Sequence, residues 1–224
     1  MTATPVIKAL RWEMNRGASP FVVHATLLRD DKDVILVDTG IPGQLELIKQ
    51  SLEQEGVWEQ LTKIIITHQD LDHIGSLPEL VQATDGRVEV IAHELAKPYI
   101  LGETPIIKRG VLATPSKVDT TVQDGDLLPY CGGIQVVFTP GHTPDHICLY
   151  HRPSRTLISG DALTSHEGVL MPPDANFTPD MPAALKSVAK LQELDIDTII
   201  TYHGGVVTEQ IPERLAAIAA GSGA

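Results

Sequence analysis

The sequence predicts one layered α/β domain spanning residues 1–224, and three features lead to that expectation. Strand-like runs open the chain, mixed strand and helix patterns follow, and the same order returns after Val118. The apolar runs are short and β-branched, with the length of buried strands. Four of those runs end directly in a His or Asp, and open α/β sheets gather their sites at strand ends.

Val6 to Trp12, Phe21 to Leu28 and Val34 to Val37 read as strands, with a hairpin turn at Asp30-Asp31-Lys32-Asp33. Asp38-Thr39-Gly40 ends the third and leads to a helix near Gln44 to Gln54, where Leu45, Ile48 and Leu52 recur at helical spacing and Gly56 is the stop. Lys63 to Thr67 is a buried strand. Ser76-Leu77-Pro78-Glu79 predicts a capping box opening a short helix to about Ala83. Val88 to Ala92 is a strand and His93 to Leu101 a helix or turn. Gly102 to Val118 is irregular and reads as a functional loop or lid, because strand patterns resume beyond it. A turn at Asp124-Gly125-Asp126 precedes strands at Ile134 to Phe138, Ile147 to Tyr150 and Thr156 to Ile158. Ser165 to Pro179 reads as irregular. Asp180 is the expected cap of a helix to Leu194 that buries Leu185, Val188 and Leu191. A strand at Thr198 to Thr201 and a helix at Ile211 to Ala220 close the chain.

Composition excludes several classes. Apolar residues make up 42% and charged residues 21%, as in globular domains, and no run approaches the roughly 18 apolar residues of a membrane span. A net charge of −12 argues against nucleic acid, whose backbone is bound by Lys and Arg clusters. Met1 to Lys8 lacks a basic region followed by an apolar core, and Cys131 and Cys148 form no disulfide framework, so a reducing cytoplasm is the expected compartment. The oligomeric state is not legible.

The chemistry concentrates in Thr67-His68-Gln69-Asp70-Leu71-Asp72-His73. Burying such a cluster of imidazoles and carboxylates costs several kcal/mol unless a cation neutralises it, and a metal is the simplest cation. The other strand-end residues are His142, Asp161 and His203. Any one of the four alone reads as a surface or capping residue; together they read as a site.

These residues resemble the metallo-β-lactamase fold superfamily of hydrolases. The matching elements are Val37-Asp38-Thr39-Gly40, the cluster from His68 to His73, Thr139-Pro140-Gly141-His142-Thr143-Pro144, Ser159-Gly160-Asp161 and Tyr202-His203-Gly204. The resemblance implies a four-layer αββα sandwich with two divalent metal ions at one edge. His68, the residue at 70 and His142 would hold the first. Asp72, His73 and His203 would hold the second, and Asp161 would bridge both. The family's nucleophile is a water or hydroxide between the metals. Cations about 3.5–4 Å apart acidify such a water and polarise a scissile carbonyl or phosphoryl oxygen. Asp72 would also orient that nucleophile and shuttle its proton.

One position departs from the family: Asp70 stands where His is usual. Either Asp70 has turned away and the first site is weak or empty, or it binds. If it binds, Asp70, Asp72 and Asp161 contribute −3 and a hydroxide a fourth negative charge, balancing two divalent ions, where His at 70 would leave +1. Zinc is the first expectation, and that shift toward harder ions makes manganese or iron the alternatives. A diiron redox protein of the same fold is the alternative function, since the flavodiiron branch carries a carboxylate there. Asp38 and His146 are expected to support the ligands without binding metal themselves. His24, His93, His151 and His166 read as packing or surface residues, and Lys108 and Arg109 as exposed charges unless they attract an anionic substrate group.

The expected reaction is hydrolysis of an ester-like bond (lactone, thioester or similar) in a small molecule. Glyoxalase II-like relatives carry a C-terminal helical domain, and 21 residues follow His203 here. The nuclease branch's inserted domain and basic surfaces are missing, and true β-lactamases are usually exported.

Overall fold

The computed structural model describes residues 4–16 and 19–221; Met1 to Ala3, within the stretch read for a leader, lie outside them. The chain divides into two compact units, Met1–Leu10 with Ala25–Val122, and Arg11–His24 with Gln123–Ala224.

The elements of the first half are β1 (Val6–Arg16), β2 (Ser19–Arg29), β3 (Val34–Val37), α1 (Leu45–Gln54), β4 (Lys63–Ile66), α2 (Leu71–Ile74), α3 (Leu77–Ala83), β5 (Glu89–His93), α4 (Lys97–Ile100) and β6 (Thr120–Val122). Their six-stranded sheet keeps the order β1-β2-β3-β4-β5-β6. β2 pairs antiparallel with β3, while β3, β4, β5 and β6 run parallel. Parallel strands covered on both faces need unbroken apolar sequence, which is why Ile64, Ile65 and Ile66 are all buried. α1 sinks Ile48 and Leu52 from one face. α3 starts where expected, but the capping box does not form. The Ser76 hydroxyl donates to the Ile41 carbonyl at 2.7 Å and accepts from the Gln44 amide at 2.9 Å, which aims it at the preceding loop and away from its own helix.

The second half contributes β7 (Leu127–Leu128), β8 (Ile134–Phe138), β9 (Ile147–His151), β10 (Thr156–Gly160), β11 (Thr164–His166), β12 (Val169–Met171), α5 (Met181–Leu191), β13 (Thr198–Thr201), β14 (Gly205–Val207) and α6 (Ile211–Ala219). The sheet order is β14-β13-β10-β9-β8-β7. β10 and β13 are parallel, and β9 runs antiparallel to both β8 and β10. Thus β8, β10 and β13 share one direction, and the residues after each collect on one sheet edge. Asp180 caps α5 as predicted, its Oδ1 accepting from the Ala183 amide at 3.0 Å, and the helix ends at Leu191. α5 and α6 pack Val188, Leu191 and Leu215 onto Leu157 and Ile199 of the sheet. Each fully buried apolar side chain of this kind contributes about 1.5–3 kcal/mol.

The segment from Ser165, read as irregular, instead opens with a hairpin. β11 and β12 pair Ser165 with Leu170, turning at Glu167 and Gly168, both at positive φ. Its strands are too short to show a period in the sequence.

Candidate metal centre

Within the first unit, β3 and β4 end side by side, and the Asp38 amide donates to the Ile65 carbonyl at 3.0 Å. Asp38 adopts φ 65°, a region that Asp and Asn tolerate better than other side chains. This turns its carboxylate onto the start of the ligand cluster. Oδ1 accepts from the Thr67 amide at 2.8 Å, and Oδ2 accepts from the Thr67 hydroxyl and from His73 Nδ1, each at 2.8 Å. A carboxylate can only accept from the ring, so Nδ1 carries the proton and His73 Nε2 keeps its lone pair. The Thr67 hydroxyl, its hydrogen committed to Asp38, accepts from His68 Nδ1 at 3.0 Å and leaves His68 Nε2 in the same state. Thr67 is thus the hub that prepares both rings. Its only sequence signal was its place between strand and cluster.

The rest of the cluster is held by backbone. Asp70 caps the four-residue α2 through its carbonyl, which accepts from the His73 and Ile74 amides at 2.8 and 3.1 Å. The Thr39 amide and hydroxyl donate to the His73 carbonyl at 2.7 and 2.8 Å, tying Asp38-Thr39-Gly40 to α2. His68 and His73 are fully buried, and Asp72, 26% exposed at its side chain, is the cluster's most open carboxylate. Asp72 Oδ2 lies 3.9 Å from His73 Nε2, and Asp70 Oδ2 lies 3.4 Å from His68 Nε2.

Asp70 Oδ2 also accepts from Lys108 Nζ at 2.5 Å, with the two side chains 11% and 15% exposed. The reading of Lys108 as a solvated charge is therefore corrected: it reaches in from the irregular loop and pairs with the position that departs from the family. Arg109 is exposed. Gln69 Oε1 accepts from the Ile107 amide at 2.9 Å, so consecutive residues of the cluster grip consecutive residues of the loop. A pairing across 38 positions leaves no periodic trace in the sequence.

The second unit presents His142, Asp161 and His203 from the shared edge of β8, β10 and β13. Asp161 Oδ2 lies 3.2 Å from His142 Nε2 and 3.5 Å from His203 Nε2. The register of β10 against β13 slips by one residue between Ile158 and Gly160, a bulge that re-aims the chain just before Asp161. His146 Nε2 accepts from the Asp161 amide at 3.0 Å, so its proton sits on Nδ1, against the Thr139 hydroxyl at 2.8 Å. With both nitrogens engaged, His146 positions Asp161 from behind. Gly141 sits at φ 138°, and a Cβ there would strike the Ala184 backbone of α5; this close approach seats the loop that bears His142.

The other histidines lie outside the cluster's ligand set. His151 bonds Ser154 and the Cys131 carbonyl, and His166 is exposed. Burial is the main cause that lowers the His24 pKa below its ordinary value, with Arg11 and His203 adding to it.

Imidazole nitrogens set against carboxylate oxygens form a donor set chemically suited to a divalent cation.

A profile of the Metallo-beta-lactamase superfamily matches residues 18–203. The chain is similar to the probable metallo-hydrolase YflN of Bacillus subtilis (strain 168), 31% identical over 200 residues that span 76% of this chain and 75% of that protein. It is 22% identical over 210 residues to an atrochrysone carboxyl ACP thioesterase of Pseudocercospora fijiensis (strain CIRAD86), covering 91% of this chain and 54% of that one. The crystal structure of a metallo-beta-lactamase family protein from Thermus thermophilus shares the fold, with a TM-score of 0.72 at 21% identity over 96% of this chain and 78% of that one. The predicted α/β fold class is thereby established. Two mixed sheets flanked by helices, a family profile running from β2 to His203 and a curated metallo-hydrolase relative lead to one assignment: the chain belongs to the metallo-beta-lactamase superfamily.

Proposed function

We propose that this protein is a dinuclear metal-dependent hydrolase that cleaves an ester-like bond, a lactone or thioester, in a small molecule. In this reading, which follows the family resemblance, His68, Asp70 and His142 would hold one ion and Asp72, His73 and His203 the other, with Asp161 shared. The observation that carries it is the Asp161 carboxylate poised between the His142 and His203 rings. The metals, when bound, acidify a water and polarise the scissile carbonyl.

The chain's own residues do the rest. Asp38 and Thr67 keep the Nδ1 protons of His73 and His68 in place, which leaves each Nε2 able to donate its lone pair. Asp72, the more exposed carboxylate, orients the attacking water and takes its proton at a carboxylate oxygen. His146 fixes the Asp161 backbone by accepting from its amide. The thioesterase relative supports an acyl substrate. Zinc is the first metal to test, with manganese or iron as alternatives because Asp70 adds a negative charge where a histidine is usual.

The test is metal analysis of protein purified without added metal, followed by a panel of lactones and thioesters. Zinc bound at both sites, with turnover abolished by a chelator and restored by the ion, is the expected result. Absence of bound metal, or iron with oxygen consumption and no hydrolysis, would overturn the reading.

A further inference from the structure

We propose that Lys108 is an internal counter-ion that competes with a metal ion for Asp70, so that filling the first site releases the Lys108 side chain from the cluster. This rests on the assignment of Asp70 to a metal site. The oxygen that faces His68 Nε2 at 3.4 Å and the oxygen that accepts Lys108 Nζ at 2.5 Å are the same atom, Asp70 Oδ2. An ion bound there by His68 and Asp70 meets the ammonium at one carboxylate oxygen. With both side chains shielded from water, two cations on one oxygen repel more strongly than exposed charges would.

The loop is built to let the side chain go without unfolding. Ile106 is fully buried, its amide donates to the Val111 carbonyl at 2.8 Å, and its carbonyl accepts from the Gly110 amide at 2.7 Å. The Ile107 amide stays on Gln69 Oε1 at 2.9 Å. The backbone around Lys108 is therefore anchored by bonds that do not involve its amine. What changes on metal binding is the side chain of Lys108 and the exposure of the Lys108-Arg109 peptide, whose neighbours Ile107, Val111 and Leu112 are already exposed.

The experiment compares wild type with Lys108→Met, Lys108→Arg, Asp70→Asn and the double variant Asp70→Asn/Lys108→Met. Zinc affinity is read by competition with a chromophoric chelator, and tryptic cleavage within 102–118 by mass spectrometry with and without zinc. Lys108→Met is expected to tighten one zinc equivalent by roughly tenfold or more while leaving the other unchanged, because a competing cation is gone. Lys108→Arg should stay within about twofold of wild type, since the charge remains. In the Asp70→Asn background, Lys108→Met should have no effect, and zinc should raise tryptic cleavage after Lys108 and Arg109 in wild type. Unchanged or weaker zinc binding by a folded Lys108→Met, or the same gain in the Asp70→Asn background, overturns the proposal. Wild type that binds no zinc at all overturns the metal assignment itself. Wild type that fills both sites while Lys108→Met changes nothing overturns only the counter-ion role.

Discussion

Replacing Asp38 by Asn separates the orientation of the ligand rings from the stability of the fold. Asn is nearly isosteric and tolerates the positive φ of 65° at this position, which most other side chains would strain. Its amide oxygen can still accept from the Thr67 amide. The amide nitrogen then replaces Oδ2, which takes the Thr67 hydroxyl and His73 Nδ1 at 2.8 Å each, and a donor now faces a donor. His73 relieves the clash by moving its proton to Nε2, the nitrogen meant for the metal. Losing a charge-assisted hydrogen bond of this kind costs about 1.5–3 kcal/mol, equivalent to roughly a 10- to 150-fold loss of affinity. Zinc affinity by chelator competition should fall by that factor at the site of His73, while circular dichroism keeps its wild-type form. Wild-type affinity in a folded Asp38→Asn protein would refute the tautomer argument.

Two predictions concern the second unit. Gly141→Ala places a methyl group on the Ala184 backbone at a φ of 138°; strain and overpacking together should cost about 2–4 kcal/mol, read as a lower midpoint in chemical denaturation. Burial pushes the Cys148 thiol from an ordinary value of 9.0 up to about 12, with only partial relief from the Thr139 hydroxyl. An acid whose folded pKa is raised contributes stability that is complete below the unfolded value, so stability should fall as pH rises from about 9 toward 12. In native protein at pH 8 the Cys148 thiol should resist alkylation by iodoacetamide, and unfolding in urea should expose it; rapid native labelling of Cys148 would contradict its burial.

What the sequence by itself determined is local. Strand cores announce themselves by β-branched runs such as Lys63 to Ile66, helices by spacing and by a cap such as Asp180, and the ligands by following strands directly. Parallel direction then does the collecting, because β8, β10 and β13 point the same way and deliver His142, Asp161 and His203 to one edge. Asp38 was legible through the family resemblance, which puts a supporting carboxylate at that position. Tertiary structure alone decided how hydroxyls and charges are shared out. Ser76 is spent on the Ile41 loop instead of its helix, Thr67 serves three partners at once, and Lys108 reaches Asp70 from 38 residues away. These are pairings between groups that any one stretch could satisfy in several ways. Only the folded backbone, by bringing one donor within reach of one acceptor and shielding both from water, selects among them.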